Sequence, residues 1–178
     1  MIILGVDPGT VYTGFGIVSF ENNKLAYISS GIITPPKSEM PIRLKKIYDE
    51  LNDVIRIYKP DELALETAFY GKNVQSAMKI GYARGVSMLV AAENEIPLAE
   101  YSPRTVKQSV VGRGSATKEQ VQFMVKKLLA FASQKKIKFD ETDALAVAIC
   151  HSFRKNLPTN KKGTWKEFVE NNPEIIKR

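Results

Sequence analysis

Residues 2–34 read IILGVDPGTVYTGFGIVSFENNKLAYISSGIIT, and this stretch decides the fold. Ile2–Asp7 is an almost continuous apolar run, as expected of a strand covered on both faces. Asp7-Pro8-Gly9-Thr10 is a turn signal, after which Thr13–Phe20 resumes with β-branched, aromatic and glycine residues. Asn22-Asn23 is a hairpin-type break, and Leu25–Thr34 forms a third strand ended by Pro35-Pro36. Connections this short predict an antiparallel meander.

Beyond it the hydrophobic period changes. From Pro41 to Tyr58 apolar residues recur at helical spacing, with Pro41 suited to a first turn and Lys59-Pro60-Asp61 as the stop. Leu63–Glu66 reads as a short strand, followed by a glycine-containing loop through Gly71. Val74–Glu93 is a long helix and Pro97–Tyr101 another short strand. Ser102-Pro103 opens a helix to about Val111, and Gly112-Arg113-Gly114-Ser115 is a flexible basic loop. Thr117-Lys118-Glu119-Gln120 has the form of a capping box that opens a helix to about Phe131. A last helix runs from about Glu141 to Phe153. The order βββαβα then βααα predicts an α/β domain over residues 1–153: a mixed sheet, three strands antiparallel and then two parallel, with helices on both faces. Residues 154–178 read as a basic, weakly ordered C-terminal tail.

The helix at 74–93 carries apolar or small residues on nearly every side, which demands cover all round. Helices of such a domain normally lie outside the sheet, so one side is expected to pack on the sheet and the other on a second subunit.

The chain has 178 residues, 44% hydrophobic and 25% charged, which suits one globular domain and excludes wholesale disorder. One cysteine, Cys150, cannot build a disulfide framework, and with the single His151 it makes no zinc site. With no basic leader and no apolar run of about 18 residues, a soluble cytoplasmic protein is expected, without a membrane partner. The net charge of +7 is unevenly placed. Residues 102–139 hold nine bases against the single acid Glu119, whereas residues 1–101 hold ten bases against twelve acids. Such a block is an electrostatic footprint for a polyanion, nucleic acid before membrane.

Four carboxylates resist a purely structural reading. Asp7 and Glu66 each end an otherwise apolar strand, and parallel neighbours would bring both to one carboxyl edge, where open α/β sheets place ligands. Asp140 and Asp143 are three apart at the start of the last helix and share a face. Each alone could cap a turn or complement a helix dipole. Together they are a donor set for Mg²⁺, or Mn²⁺ in its place, because oxygen ligands suit these ions and sulfur and imidazole are nearly absent. Two such ions could activate a water and stabilise the leaving oxygen of a phosphodiester, and the basic segment would attract that substrate. A metal-dependent nuclease follows as the expectation.

Gly5-Val6-Asp7-Pro8-Gly9-Thr10, Leu65-Glu66, Phe69 with Lys72-Asn73, Ala83-Arg84-Gly85, Val106-Lys107-Gln108, Val111-Gly112 with Gly114-Ser115-Ala116, and Asp140 with Asp143-Ala144-Leu145-Ala146 resemble, in this order, the motifs of the RuvC family, bacterial Holliday-junction resolvases. The resemblance runs from Met1 to about Phe153. It implies an RNase H-like fold, a homodimer, and Mg²⁺-dependent cutting of two opposed strands of four-way junction DNA, in concert with the RuvA and RuvB branch-migration complex. It implies Asp7, Glu66, Asp140 and Asp143 as catalytic metal ligands, Phe69 as an aromatic that stacks on a base, and Lys107 and Lys118 as lysines near the scissile phosphate and the DNA backbone. Lys72, Arg84, Arg104 and Arg113 are further candidate DNA contacts. Competing readings are a phosphotransferase of the sugar-kinase type, suggested by Asp7-Pro8-Gly9-Thr10, a RuvC-like nuclease acting on RNA, and a junction-binding protein without catalysis.

Overall fold

The computed structural model describes residues 1–67, 74–131 and 136–155. A five-stranded sheet is built from β1 (Ile2–Asp7), β2 (Thr13–Glu21), β3 (Lys24–Ile33), β4 (Glu62–Glu66) and β5 (Leu98–Tyr101). Their order is β3-β2-β1-β4-β5, with β1–β2 and β2–β3 antiparallel and β1–β4 and β4–β5 parallel. The hairpin between β2 and β3 turns through Asn22 (φ 50°) and Asn23 (φ 61°), the left-handed pair that a two-residue turn requires.

The helices are α1 (Met40–Tyr58), α2 (Val74–Glu93), α3 (Pro103–Val111), α4 (Lys118–Leu128) and α5 (Phe139–Lys155). Ser102 caps α3 by accepting from the Thr105 amide at 3.1 Å, and Thr117 with Gln120 forms both arms of a capping box on α4. Two helices differ from expectation in where they begin or end. α4 stops at Leu128, because Ala130 adopts a positive φ of 50° that ends the helical path. α5 begins two residues before Glu141 and runs two past Phe153, where Lys155 pairs with Glu62 of β4. The folded unit therefore includes Arg154 and Lys155, while residues 156–178 lie outside the described residues.

Alternation along the strands divides the core in two. Leu4, Val6, Leu63 and Leu65 pack under α1 and α2, whereas Ile3 and Ala64 meet α3, α4 and α5 on the other face. The helix that the fold buries all round is α5, with every residue from Ala144 to Ser152 buried between the sheet and α3 and α4. Glycine makes this possible. A Cβ on Gly5 would stand 2.1 Å from the Ala144 carbonyl oxygen, one on Gly14 2.1 Å from the Asp140 carbonyl oxygen, and one on Gly16 2.7 Å from the Leu145 backbone nitrogen. Glycine inside a strand marks such close approach of another backbone. At its far end α5 is pinned by His151, whose ring meets the Tyr101 hydroxyl at 2.8 Å and Glu62 at 2.6 Å. Burial lowers the pKa of this imidazole.

α2 keeps only a narrow stripe inside, formed by Ala83, Ser87, Val90 and Ala91. Val74, Met78, Tyr82 and Leu89 are exposed on its outer side, and Gly81 and Gly85 face open space.

Candidate active site

Period two sends Asp7 to the same face as Gly5, and Glu66 to the same face as Ala64, so both acids point to the side on which α5 lies. Val6 pairs with Leu65 in parallel register, so the acids leave neighbouring strands side by side, roughly one strand spacing (about 5 Å) apart. The second turn of α5 brings Asp143 against them, and Lys118 from the first turn of α4 donates to its Oδ2 at 3.0 Å. Asp7, Glu66, Asp143, Lys107 and Lys118 line one cavity of about 200 Å³, with Pro103, Val106 and Val121 as its apolar wall.

The electrostatics are those of crowded like charges. Burial, then Asp143 and Asp140, raises the Asp7 carboxyl to about 7. Burial, then Asp7 and Asp143, raises Glu66 to about 8. Burial alone would lower the Lys118 ammonium, but the hydrogen bond and charge of Asp143, with Asp7 and Asp140 behind it, raise it on balance. At neutral pH Lys118 is therefore charged, while the Asp7 and Glu66 carboxyls still hold protons for much of the time. The cavity's donors are carboxylates, a set suited to a hard divalent cation.

Asp140 is placed differently from the other three acids. It is one turn before Asp143, and a turn of helix moves a side chain about 5 Å along the axis, so it lines an adjoining cleft beside the Gly9–Tyr12 turn. Its charge still reaches Asp7. Among the described residues, no three carboxylates, imidazoles or thiolates converge as the ready-made ligand set of one ion.

The candidate DNA contacts separate in the same way. Lys107 and Lys118 stand at the cavity. Arg113 is exposed in the α3–α4 loop, and Arg104 lies against Gly114 of that loop. Arg84 is on the opposite face of the sheet, where its Nε donates to Glu100 at 2.8 Å and ties α2 to β5. Phe69 and Lys72 lie outside the described residues. The contribution of Gly5, Gly14 and Gly16 to placing the acids went unread in the sequence, although glycines inside strands were the available signal.

Residues 3–151 match the family model described as Crossover junction endodeoxyribonuclease RuvC. The chain belongs to the RuvC family. A RuvC of Cytophaga hutchinsonii is 44% identical over 177 residues, covering 99% of this chain and 88% of the relative. The solved structure of Thermus thermophilus RuvC matches with a TM-score of 0.79 at 30% identity, over 87% of this chain and 95% of that one. The same protein in complex with Holliday junction substrate matches at 29% identity, again with a TM-score of 0.79, over 87% and 94% of the two chains. The mixed sheet described above is accordingly the RNase H-like fold of RuvC, and this chain is a Holliday-junction endodeoxyribonuclease of DNA recombination and repair.

Proposed function

We propose that Asp7, Glu66, Asp140 and Asp143 are the catalytic acids of this RuvC-family resolvase and hold two Mg²⁺ ions per active site, with Mn²⁺ able to substitute. The observation that carries this reading is the cavity where Asp7, Glu66 and Asp143 meet with two lysines and raised carboxyl pKa values. The family is one of metal-dependent nucleases, and the cation, when bound, supplies Lewis acidity to a phosphodiester and lowers the pKa of a water. Lys107 and Lys118 attract and orient the scissile phosphate, and Lys118 holds Asp143 in place meanwhile. The carboxyls of Asp7 and Glu66 release their protons as the cation enters.

A four-way junction has local two-fold symmetry, so a two-fold dimer can offer one active site to each of two opposed strands. The exposed side of α2, with Val74, Met78, Tyr82 and Leu89 around the open Gly81 and Gly85, supports it as the seam of a homodimer. The basic block at 102–139 supports phosphate contact near the cavity. By family resemblance the substrate arrives from the RuvA–RuvB complex in the cytoplasm, and Phe69 stacks on a base near the crossover. No helix among the described residues is long and apolar enough to cross a membrane.

The test compares a synthetic four-way junction, a linear duplex of the same sequence and an RNA hairpin, each with Mg²⁺. Paired symmetric nicks in the junction alone are expected, and Asp7→Asn should abolish them while sparing junction binding. An Asp7→Asn protein that cuts at the wild-type rate would remove the metal-site assignment.

A further inference from the structure

Next to the acid cavity is a second cleft, of about 410 Å³, between the β1–β2 turn and the first turns of α2. Its size is within the range of small-ligand sites. Tyr12 and Val11 form one wall and are 50% and 59% exposed, and Ser76, Lys79 and Ile80 form the other. Asp140 stands on the boundary, since it lines this cleft while its charge acts on Asp7. An exposed tyrosine and a lysine therefore line one cleft together, and Asp140 links that cleft to the neighbouring acids.

The turn bearing Tyr12 is held firmly. Thr13 Oγ1 accepts from the Gly9 amide at 3.3 Å and donates to the Gly9 carbonyl at 2.7 Å. Arg43 of α1 donates to the Thr10 carbonyl. Gly9 permits the tight fold of this turn, because a Cβ there would stand 2.2 Å from the Tyr12 carbonyl oxygen. An exposed aromatic on a turn held by three hydrogen bonds, with Thr13 and Arg43, is a preorganised stacking platform, with little ordering entropy left to lose on binding. Lys79 continues the inner stripe of α2 beyond the sheet edge and pairs with no carboxylate among the described residues. The dimer side of α2 is a different face, that of Val74, Met78 and Tyr82.

We propose that this cleft is a nucleotide subsite: Tyr12 stacks on the base of a nucleotide flanking the scissile phosphate, and Lys79 pairs with the adjoining backbone phosphate. The proposal rests on the reading of the neighbouring acids as the catalytic site. Every base offers a π-face, so the subsite accepts any base and contributes position rather than sequence choice. A strand held at Tyr12 and Lys79 is fixed on the Asp140 side of the acids, while Lys107 and Lys118 hold the other side.

The test uses the full chain and a four-way junction with 2-aminopurine at each nucleotide flanking the cut, in separate substrates. Tyr12→Ala should lower kcat/KM by about 5- to 150-fold, the range of one base stack, and should abolish the binding-induced fluorescence change at one of those positions. Tyr12→Phe should retain both. Lys79→Met should weaken junction binding and reduce the log–log salt slope by about 1, the loss of one phosphate contact. Cleavage by Tyr12→Ala within twofold of wild type overturns the subsite. So does a loss of cleavage with an unchanged 2-aminopurine signal, or one that Phe does not rescue, because either means that Tyr12 acts on the fold. A wild-type protein that fails to cut the junction, or an Asp7→Asn variant that cuts it, instead overturns the reading of the acids.

Discussion

α5 and α2 are the two most apolar helices among the described residues, and the fold treats them oppositely. α5 is buried from Ala144 to Ser152 between the sheet and the α3–α4 pair, while α2 buries one stripe and leaves Met78, Tyr82 and Leu89 in solvent. The location of the glycines accounts for the difference. Under α5 they are in the strands, at Gly5, Gly14 and Gly16, and let the helix backbone descend onto the sheet. On α2 they are in the helix itself, at Gly81 and Gly85, and face open space among the described residues. The first arrangement places carboxylates to within a strand spacing, and the second leaves a surface for another molecule.

The comparison breaks most severely at Gly5. Gly5→Ala should cost roughly 3 kcal/mol or more, since its Cβ meets the rigid α5 backbone at Ala144 and Ala148, and chemical denaturation read by circular dichroism measures it. A loss under about 1 kcal/mol would mean that α5 can lift away freely.

The acids carried by α5 and its neighbouring strands make the second prediction. Asp7 and Glu66 hold protons more tightly in the folded chain, at about 7 and about 8, than carboxyls of the unfolded chain, which ionise near 4. Metal-free stability should therefore fall as pH rises from about 4 to about 8, by several kcal/mol, and level off above that. Asp7→Asn should flatten the decline, and Mg²⁺ should oppose it with an affinity that increases with pH. Urea titrations across this pH range, with and without Mg²⁺, test all three.

On the α2 side, Leu89→Glu should shift the protein from dimer to monomer in sedimentation velocity with a thermal midpoint changed by only a few degrees, because the residue is 58% exposed within the chain. A monomeric wild-type protein would remove α2 as the seam. The smallest effect is expected at Gly85. In the Leu89→Glu background, Gly85→Ala should stabilise the fold by about 0.5–1 kcal/mol, the helix preference of alanine over glycine where nothing obstructs the methyl group. Glycine to alanine thus has opposite signs in the two regions.

Much of this was legible in the sequence because the signals were local. The strand run at Ile2–Asp7, the Asn22-Asn23 hairpin, the Ser102 and Thr117 caps and the order of elements all rest on backbone preferences of a few neighbouring residues. The chain as a string also marks Asp7 and Glu66 as acids ending apolar strands and Asp140 and Asp143 as acids opening a helix. Tertiary structure alone decided the rest. That Asp7 and Glu66 are side by side depends on β4 pairing in parallel with β1, a contact across about sixty residues. That Asp143 joins them while Asp140 turns to the Tyr12 cleft depends on how far α5 descends and at which turn it crosses the strand ends. Local preference sets which segments become strands and helices, but separations of a few ångströms between side chains far apart in the chain are set by packing, here by a hydrogen atom at Gly5, Gly14 and Gly16 in place of a methyl group.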